Sequence, residues 1–350
     1  MSPDKLIEGE RPRAKAVDVA SRAKVSIATV SLVANGKASG RVSEDTYQRV
    51  MQAIDELGYV VNSAARSLAT GHRQCVALVA QDMTNPFIST IAAGVADALG
   101  TQTQLLLAVS GSGSQTPDVE QVLNFGVDGV LLDFPMARGA GIPETRCPVV
   151  LLDDPHTPKG TSSVYFDFQR SARDLAEHLT RLGHRTVAYL DAPRQATTFR
   201  DRRRHLSEEL KRQDKRAKIL RSSTDIEIDS ARTTATASWP TWERAGATAI
   251  VTASDVQAYG VLAALADLGV PVPGRMSVAA FDDLPFAAIF TPALTAISVP
   301  AFELGFEAAT LLKDIIKRGD RAQRSILLPT RLVERASTGP APAVRGQTGN

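Results

Sequence analysis

The side chains able to do chemistry are few, and poorly spaced for catalysis. His178 and His184 stand six residues apart across an expected helix end, which suits no shared metal ion. His72, His156 and His205 are isolated, and Cys75 and Cys147 make neither a zinc pattern nor a disulfide framework. Gly111 and Gly113 give a fragment of a dinucleotide loop, but no third glycine and no helix start follow. No Gly-x-Ser-x-Gly elbow occurs, nor a phosphate loop ending in Gly-Lys-Ser/Thr. An enzyme is therefore the rival class rather than the first reading, and neither cofactor nor metal is expected. The tract Lys211, Arg212, Lys215, Arg216, Lys218 and Arg221 is interleaved with Glu208, Glu209 and Asp214 and reads as a solvated face, not a nucleic-acid patch.

Hydroxyls at helix-capping positions say more. Val17 to Ala23 suits a short helix, Lys24-Val25 a turn, and Ser26 is a good N-cap for a second helix, Ile27 to Ala34, closed by Asn35-Gly36. Ser43 then caps a third helix with Glu44 and Asp45 in its first turn and Val50, Ile54 and Leu57 on one side, ending at Gly58. Two helices joined by a tight turn and braced by a third make a helix-turn-helix module, although a generic three-helix bundle has the same pattern.

Beyond this segment, apolar runs at 76–80, 105–109, 129–132, 149–152, 186–190, 249–252 and 277–281 alternate with helical patterns such as 170–182 and 256–268. Near-continuous apolar strands alternating with helices predict parallel sheets covered on both faces, and the length suggests two doubly wound lobes. The chain has 350 residues, 40 Lys and Arg against 38 Asp and Glu, a net charge of +2 and 43% apolar residues, which excludes a polycation and an acidic disordered chain. No stretch reaches the roughly 18 apolar residues of a membrane helix, and the polar start to Arg13 has no signal-peptide core. A cytoplasmic protein with reduced thiols and no membrane contact is expected.

The wording of the chain is specific. Val17-Asp18-Val19-Ala20, Val25-Ser26, Ala28-Thr29-Val30-Ser31, Asn35-Gly36, Val42-Ser43 and Leu57-Gly58-Tyr59 resemble the lactose-repressor (LacI/GalR) family, and Asn62 to Leu68 resembles its hinge segment. Asn85-Pro86-Phe87, Asp128-Gly129, Leu182-Gly183-His184, Ser254-Asp255, Phe281-Asp282-Asp283 and Thr291 to Thr295 continue the likeness in colinear order over roughly residues 15 to 335. The resemblance implies an all-α helix-turn-helix DNA-binding head at 14–60, a hinge helix and linker at 61–74, and an α/β two-lobed, periplasmic-binding-protein-like effector and dimerisation domain with parallel sheets at 75–338. Tails at 1–13 and 339–350 are expected to be disordered.

It also implies a mechanism: a homodimeric regulator, more often a repressor, that binds a palindromic double-stranded DNA operator and answers to a small molecule, a sugar or other metabolite, in the interlobe cleft. Ser26 to Ala34 becomes the recognition helix, with Ser26, Ile27, Ala28, Thr29, Ser31, Leu32, Asn35, Arg41 and Ser43 at the DNA. In the hinge, Asn62, Ala65 and Arg66 accompany Leu68, which wedges into the central base step; a plain core leucine is the alternative. The matching effector residues are Phe87, Arg202, Asp255 and Asp282. Phe87 also suits a core position and Asp255 a helix cap. The chain departs from the family at Ile27, Ala28 and Leu32, where polar residues or Arg are usual, so direct base readout is expected to be thin. Val61 stands where Pro is usual, which leaves the approach to the hinge helix less rigid, and Phe168 (usually Asn) and His205 (usually Gly) put a typical sugar pocket in question.

Overall fold

A computed structural model describes residues 14–34, 36, 38–59, 73–80, 83–109, 119–133, 147–192, 197–319 and 322–342. The expected roles of Asn35, Asn62, Ala65, Arg66 and Leu68, and the tails 1–13 and 343–350, lie outside these residues. The chain divides into two compact units, residues 1–73 and 74–350.

In the first unit, α1 (Ala16–Ala23), α2 (Ile27–Ala34) and α3 (Glu44–Leu57) enclose a core of Val19, Ala20, Ala23, Val30, Val33, Val50 and Ala53. Small side chains let three short helices approach closely, and the local punctuation fixes their ends. Lys24 closes α1 in the left-handed region at φ 56°. The Ser26 hydroxyl accepts from the Thr29 amide at 3.1 Å, and the Ser43 hydroxyl accepts from the Thr46 amide at 3.4 Å. Gly58 ends α3 at φ 58°, a conformation that glycine adopts without strain.

The second unit holds two six-stranded sheets. In the first, β1 (Cys75–Ala80), β2 (Gln104–Val109), β3 (Gly129–Asp133), β4 (Val149–Leu152), β5 (Ser162–Phe166) and β11 (Ser325–Leu328) lie in the order β11-β5-β4-β3-β1-β2, all parallel. In the second, β6 (Thr186–Asp191), β7 (Lys218–Ser223), β8 (Ala249–Thr252), β9 (Ser277–Asp282), β10 (Thr295–Ser298) and β12 (Arg331–Val333) run β12-β10-β9-β8-β6-β7, with only β12 antiparallel to its neighbour. Helices α4 (Pro86–Leu99), α5 (Val119–Asn124) and α10 (Ala301–Arg318) belong to the first lobe; α6 (Phe168–Arg181), α7 (Thr197–Gln213), α8 (Ile228–Arg244) and α9 (Asp255–Asp267) belong to the second. Among the described residues the chain passes between lobes three times, after β5, after β10 and after β11.

The apolar runs of the sequence all form strands. β5, β10, β11 and β12 lie outside them because they are short, with polar residues such as Ser162, Ser163, Thr295, Ser325 and Arg331 at their ends, and are placed by pairing to longer neighbours. One expectation is corrected. The stretch that begins at Gly339 is not frayed at its start: the Gly339 amide donates to Ser277 Oγ at 3.1 Å, its carbonyl bonds His184 Nε2 at 3.0 Å, and the Ala341 amide donates to the Leu182 carbonyl at 2.7 Å. Buried hydrogen bonds outweigh the Gly and Pro content that suggested disorder.

Candidate nucleic-acid interface and ligand cleft

In the first unit, Val30 and Val33 of α2 are buried against α1 and α3, which turns Ile27, Ala28 and Ser31 outward, with Leu32 half-buried beside them. Thr29 is half-buried and its hydroxyl shares a 2.9 Å bond with Ser26, while Arg41 and Ser43 are exposed at the turn before α3. The surface residues expected at DNA that fall within the described range are therefore on one helix and the turn that follows it. Ser26 and Ser43 spend their hydroxyls as caps.

In the second unit, the carboxyl ends of the strands of both sheets meet around Arg202. This side chain, projecting from α7, is 2% exposed. Its Nη1 donates to Asp282 at the end of β9 and to the Ala253 carbonyl just after β8, both at 2.8 Å. Nη2 lies 4.0 Å from the Asp153 carboxylate just past β4, so one guanidinium links the two lobes. Its central carbon stands 4.5 Å from the ring centroid of Phe168 and 5.3 and 5.4 Å from those of Phe281 and Phe199. Phe87, Phe166, Phe168 and Phe281 form a row with centroids 6.2, 5.7 and 6.1 Å apart that runs from the first lobe to the second.

Asp255, the first residue of α9, is buried and accepts from the Leu284 amide at 2.7 Å, while Ser254 caps the helix. The capping role considered for Asp255 thus falls to its neighbour. Of the four expected effector residues, Arg202, Asp255 and Asp282 cluster. Phe87 is 8% exposed, reaches the cluster through the aromatic row, and shares with Asp282, Phe302 and Arg331 the wall of a cavity of about 490 Å3.

The carboxylates here are unusual. Burial pushes Asp133, at the end of β3, and Asp153 up to about 7, in the latter case against the pull of Arg202. Burial and then the Asp282 charge raise Asp255 well above the ordinary range. Asp153, Asp282 and Asp283 have φ of 53°, 126° and 61°, a strained backbone for residues with a Cβ, and all three lie at strand ends facing the cleft chemistry. Arg202 Nε, Asp153 Oδ1, Asp255 Oδ1 and Tyr189 Oη are buried without a hydrogen-bond partner among the described residues. Fork-shaped donors and unmatched acceptors in an aromatic-walled cleft suit a small hydroxylated or carboxylated molecule. Sequence reasoning missed Asp133, Asp153, Tyr189 and Phe199; an Asp directly after an apolar strand run, as in Leu131-Leu132-Asp133 and Leu151-Leu152-Asp153, is the signal that finds the first two.

The basic tract behaves as a solvated face: Arg212 pairs with Glu209, Arg216 with Asp214 and Arg221 with the buried Asp191. Among the described residues no group of three or more His, Cys, Asp or Glu is arranged to hold a metal, and no helix is long and apolar enough to cross a membrane.

Comparison with known proteins matches residues 17–62 to bacterial regulatory proteins of the lacI family and residues 176–338 to a periplasmic binding protein-like domain. The ribose operon repressor of Halalkalibacterium halodurans is 31% identical over 324 residues, covering 92% of this chain and 96% of that protein. The chain belongs to the LacI family. Among solved LacI-family structures, the lac repressor dimer bound to operator and the anti-inducer ONPF superposes with a TM-score of 0.81 at 27% identity, over 94% of this chain and 100% of that one. The regulator CelR in complex with cellobiose gives 0.66 at 29% identity, over 93% and 100%. The two-lobed fold and the helical head are thus those of LacI-family regulatory proteins, and the curated relatives carry the names of repressors and transcriptional regulators.

Proposed function

We propose that this LacI-family protein is a cytoplasmic repressor that binds a palindromic DNA operator as a homodimer, with a small molecule between the lobes setting its affinity, and that it acts by binding rather than catalysis. The observation that carries this reading is the pairing, in one chain, of a helix-turn-helix head whose α2 is turned outward with a second unit whose two lobes are joined through the buried Arg202. On this reading residues 14–60 are the DNA-binding head, 61–74 the hinge and linker, and 75–338 the effector and dimerisation domain. Ser26, Thr29, Ser31, Asn35, Arg41 and Ser43 position the head on the phosphate backbone and base edges; Asn62, Ala65 and Arg66 support Leu68 as the minor-groove wedge. Phe87, Arg202, Asp255 and Asp282 face the effector. The lac repressor relative is a dimer on its operator, and CelR is solved with cellobiose, which supports a sugar-sized ligand here. Exposed Leu107 and Val109 on β2, with Phe286 and Ile289 after β9, supply apolar surface in both lobes for a second copy to cover.

Selection of bound sequences from a random duplex pool at low and high salt tests the reading. Enrichment of a palindrome is the expected result; binding that only fades with salt, without enrichment, overturns it. Leu68→Ala should then weaken the palindrome far more than bulk DNA. One observation favours a second reading, a regulator of the same fold that answers to no small molecule: Phe168 covers the Arg202 guanidinium where the family usually has Asn.

A further inference from the structure

The outward face of α2 is almost without polar chemistry. Ile27, Ala28, Ser31 and Leu32 lie at helical spacing on one side, and Val30 and Val33 on the other side fill the core. Ile27 is 53% exposed, a large apolar group held in water on the element that the operator reading lays in the major groove. Of the four, only Ser31 carries a polar side-chain atom, and α2 has no charged residue, while the exposed Lys24 and Arg41 in the turns around it supply charge for phosphates. An apolar side chain laid against a base-edge donor or acceptor strips it of water and returns no hydrogen bond, which disfavours the contact. The one apolar feature of the major-groove edges is a methyl group on C5 of a pyrimidine, carried by thymine and by 5-methylcytosine.

We propose that α2 reads its half-site through pyrimidine C5-methyl groups: Ile27, with Ala28 and Leu32, packs on methyls, and thymine is their source. The proposal rests on the operator reading above. It favours A·T pairs under Ile27 and Leu32, leaves Ser31 as the adaptable contact, and assigns to Lys24 and Arg41 the part of the affinity that falls with salt. Methyl packing releases no counterions, so it stays constant as salt rises.

The test uses the full-length protein and the enriched palindrome, with deoxyuridine replacing thymidine at single half-site positions, a change that removes one methyl and nothing else. Each contacted methyl should be worth roughly fourfold in affinity, by the transfer value of one methyl-sized group, and the factor should be the same at low and high salt. Ile27→Ala should lose a similar factor on the thymidine duplex and become indifferent to deoxyuridine at its position; Ile27→Val should keep part of the sensitivity. Equal affinity for thymidine and deoxyuridine at every half-site position overturns the proposal. A gain on replacing deoxycytidine by 5-methyldeoxycytidine, without a thymidine effect, overturns thymine as the source. Failure of any duplex to enrich defeats the operator reading itself, a result distinct from either.

Discussion

The ring of Phe168 covers the guanidinium of Arg202, with 4.5 Å between the ring centroid and the central guanidinium carbon. Phe168 opens α6 immediately after the first crossover, and Arg202 reaches it from α7, so the contact sits beside the passage from the first lobe to the second. Stacking on an aromatic face leaves the in-plane N–H groups of Arg202 to Asp282, the Ala253 carbonyl and Asp153. The ring therefore lends the buried charge a partner without consuming its hydrogen bonds. Removing it by Phe168→Ala should lower the stability of the two-lobed unit by about 3–5 kcal/mol in urea denaturation. A loss under about 1 kcal/mol would show the ring to be loosely packed. In a thermal-shift screen of sugars, a compound that stabilises Phe168→Asn but not the parent would mark the ring as what closes the pocket.

Arg202 and Asp282 are both buried and bonded at 2.8 Å, which makes each single deletion costlier than the loss of one contact. Arg202→Ala or Asp282→Ala alone leaves a charge without its partner and should cost about 3–5 kcal/mol. The double variant should cost clearly less than the two losses added together. A double-mutant cycle by urea denaturation measures the difference; additive losses would show that the pair is not coupled.

Stability should depend on pH with two opposed slopes. The Asp153 carboxyl holds its proton to about 7 in the fold against an ordinary 3.8, so its contribution is complete below 3.8 and is lost as pH climbs to 7. His184 is driven down to about 4 by burial against an ordinary 6.5, so its contribution is complete above 6.5 and is lost as pH falls to 4. Asp153→Asn should remove up to about 1.4 kcal/mol of stability loss per pH unit on the rising limb. His184→Gln should flatten the acid limb instead. Unfolding midpoints across that range check both, and unchanged slopes in either variant would reject its assignment.

Two helices of the first lobe cross at bare backbone. A Cβ at Gly94 of α4 would stand 2.0 Å from the Phe302 carbonyl oxygen of α10, and one at Gly305 of α10 would stand 2.1 Å from that of Ile91. Gly94→Ala should therefore cost about 1–3 kcal/mol or more through overpacking, despite alanine's better helix propensity. Gly274→Ala, whose Cβ would meet Pro271 at an ordinary 3.6 Å, is the control and should fall within about 0.5 kcal/mol of the parent. A melting comparison of the pair decides the point.

Legibility in the sequence followed the range of the forces involved. The bounds of α2, Ile27–Ala34, were readable because Ser26 supplies a side-chain cap and Asn35-Gly36 a stop, both local signals. The long buried strands were readable because their apolar runs need no partner to be recognised. The short edge strands were not, since Ser325–Leu328 becomes a strand only by lying beside β5, some 160 residues earlier in the chain. In the cleft, resemblance singled out Arg202 from the four arginines of residues 200–204, but local pattern says nothing about which of them turns inward to Asp282. The lobe-to-lobe row of phenylalanines was equally hidden: its members at 87, 166, 168 and 281 share no spacing, and only the topology brings them together.

The three passages between the lobes also set a timetable for synthesis. The first sheet waits for β11 and the second for β12, and both strands come from residues 325–333. A nascent chain carrying all of β1 to β10 still lacks an edge strand in each sheet, with β5 and β10 left unpaired on that side. Neither lobe can finish ahead of the other on the ribosome, although chains with lobes in succession complete the first while the second is still being made. Until β11 and β12 emerge, the exposed edges of β5 and β10 are open to pairing with other chains, so the interval before residues 325–333 appear is when this protein most needs shelter from its neighbours.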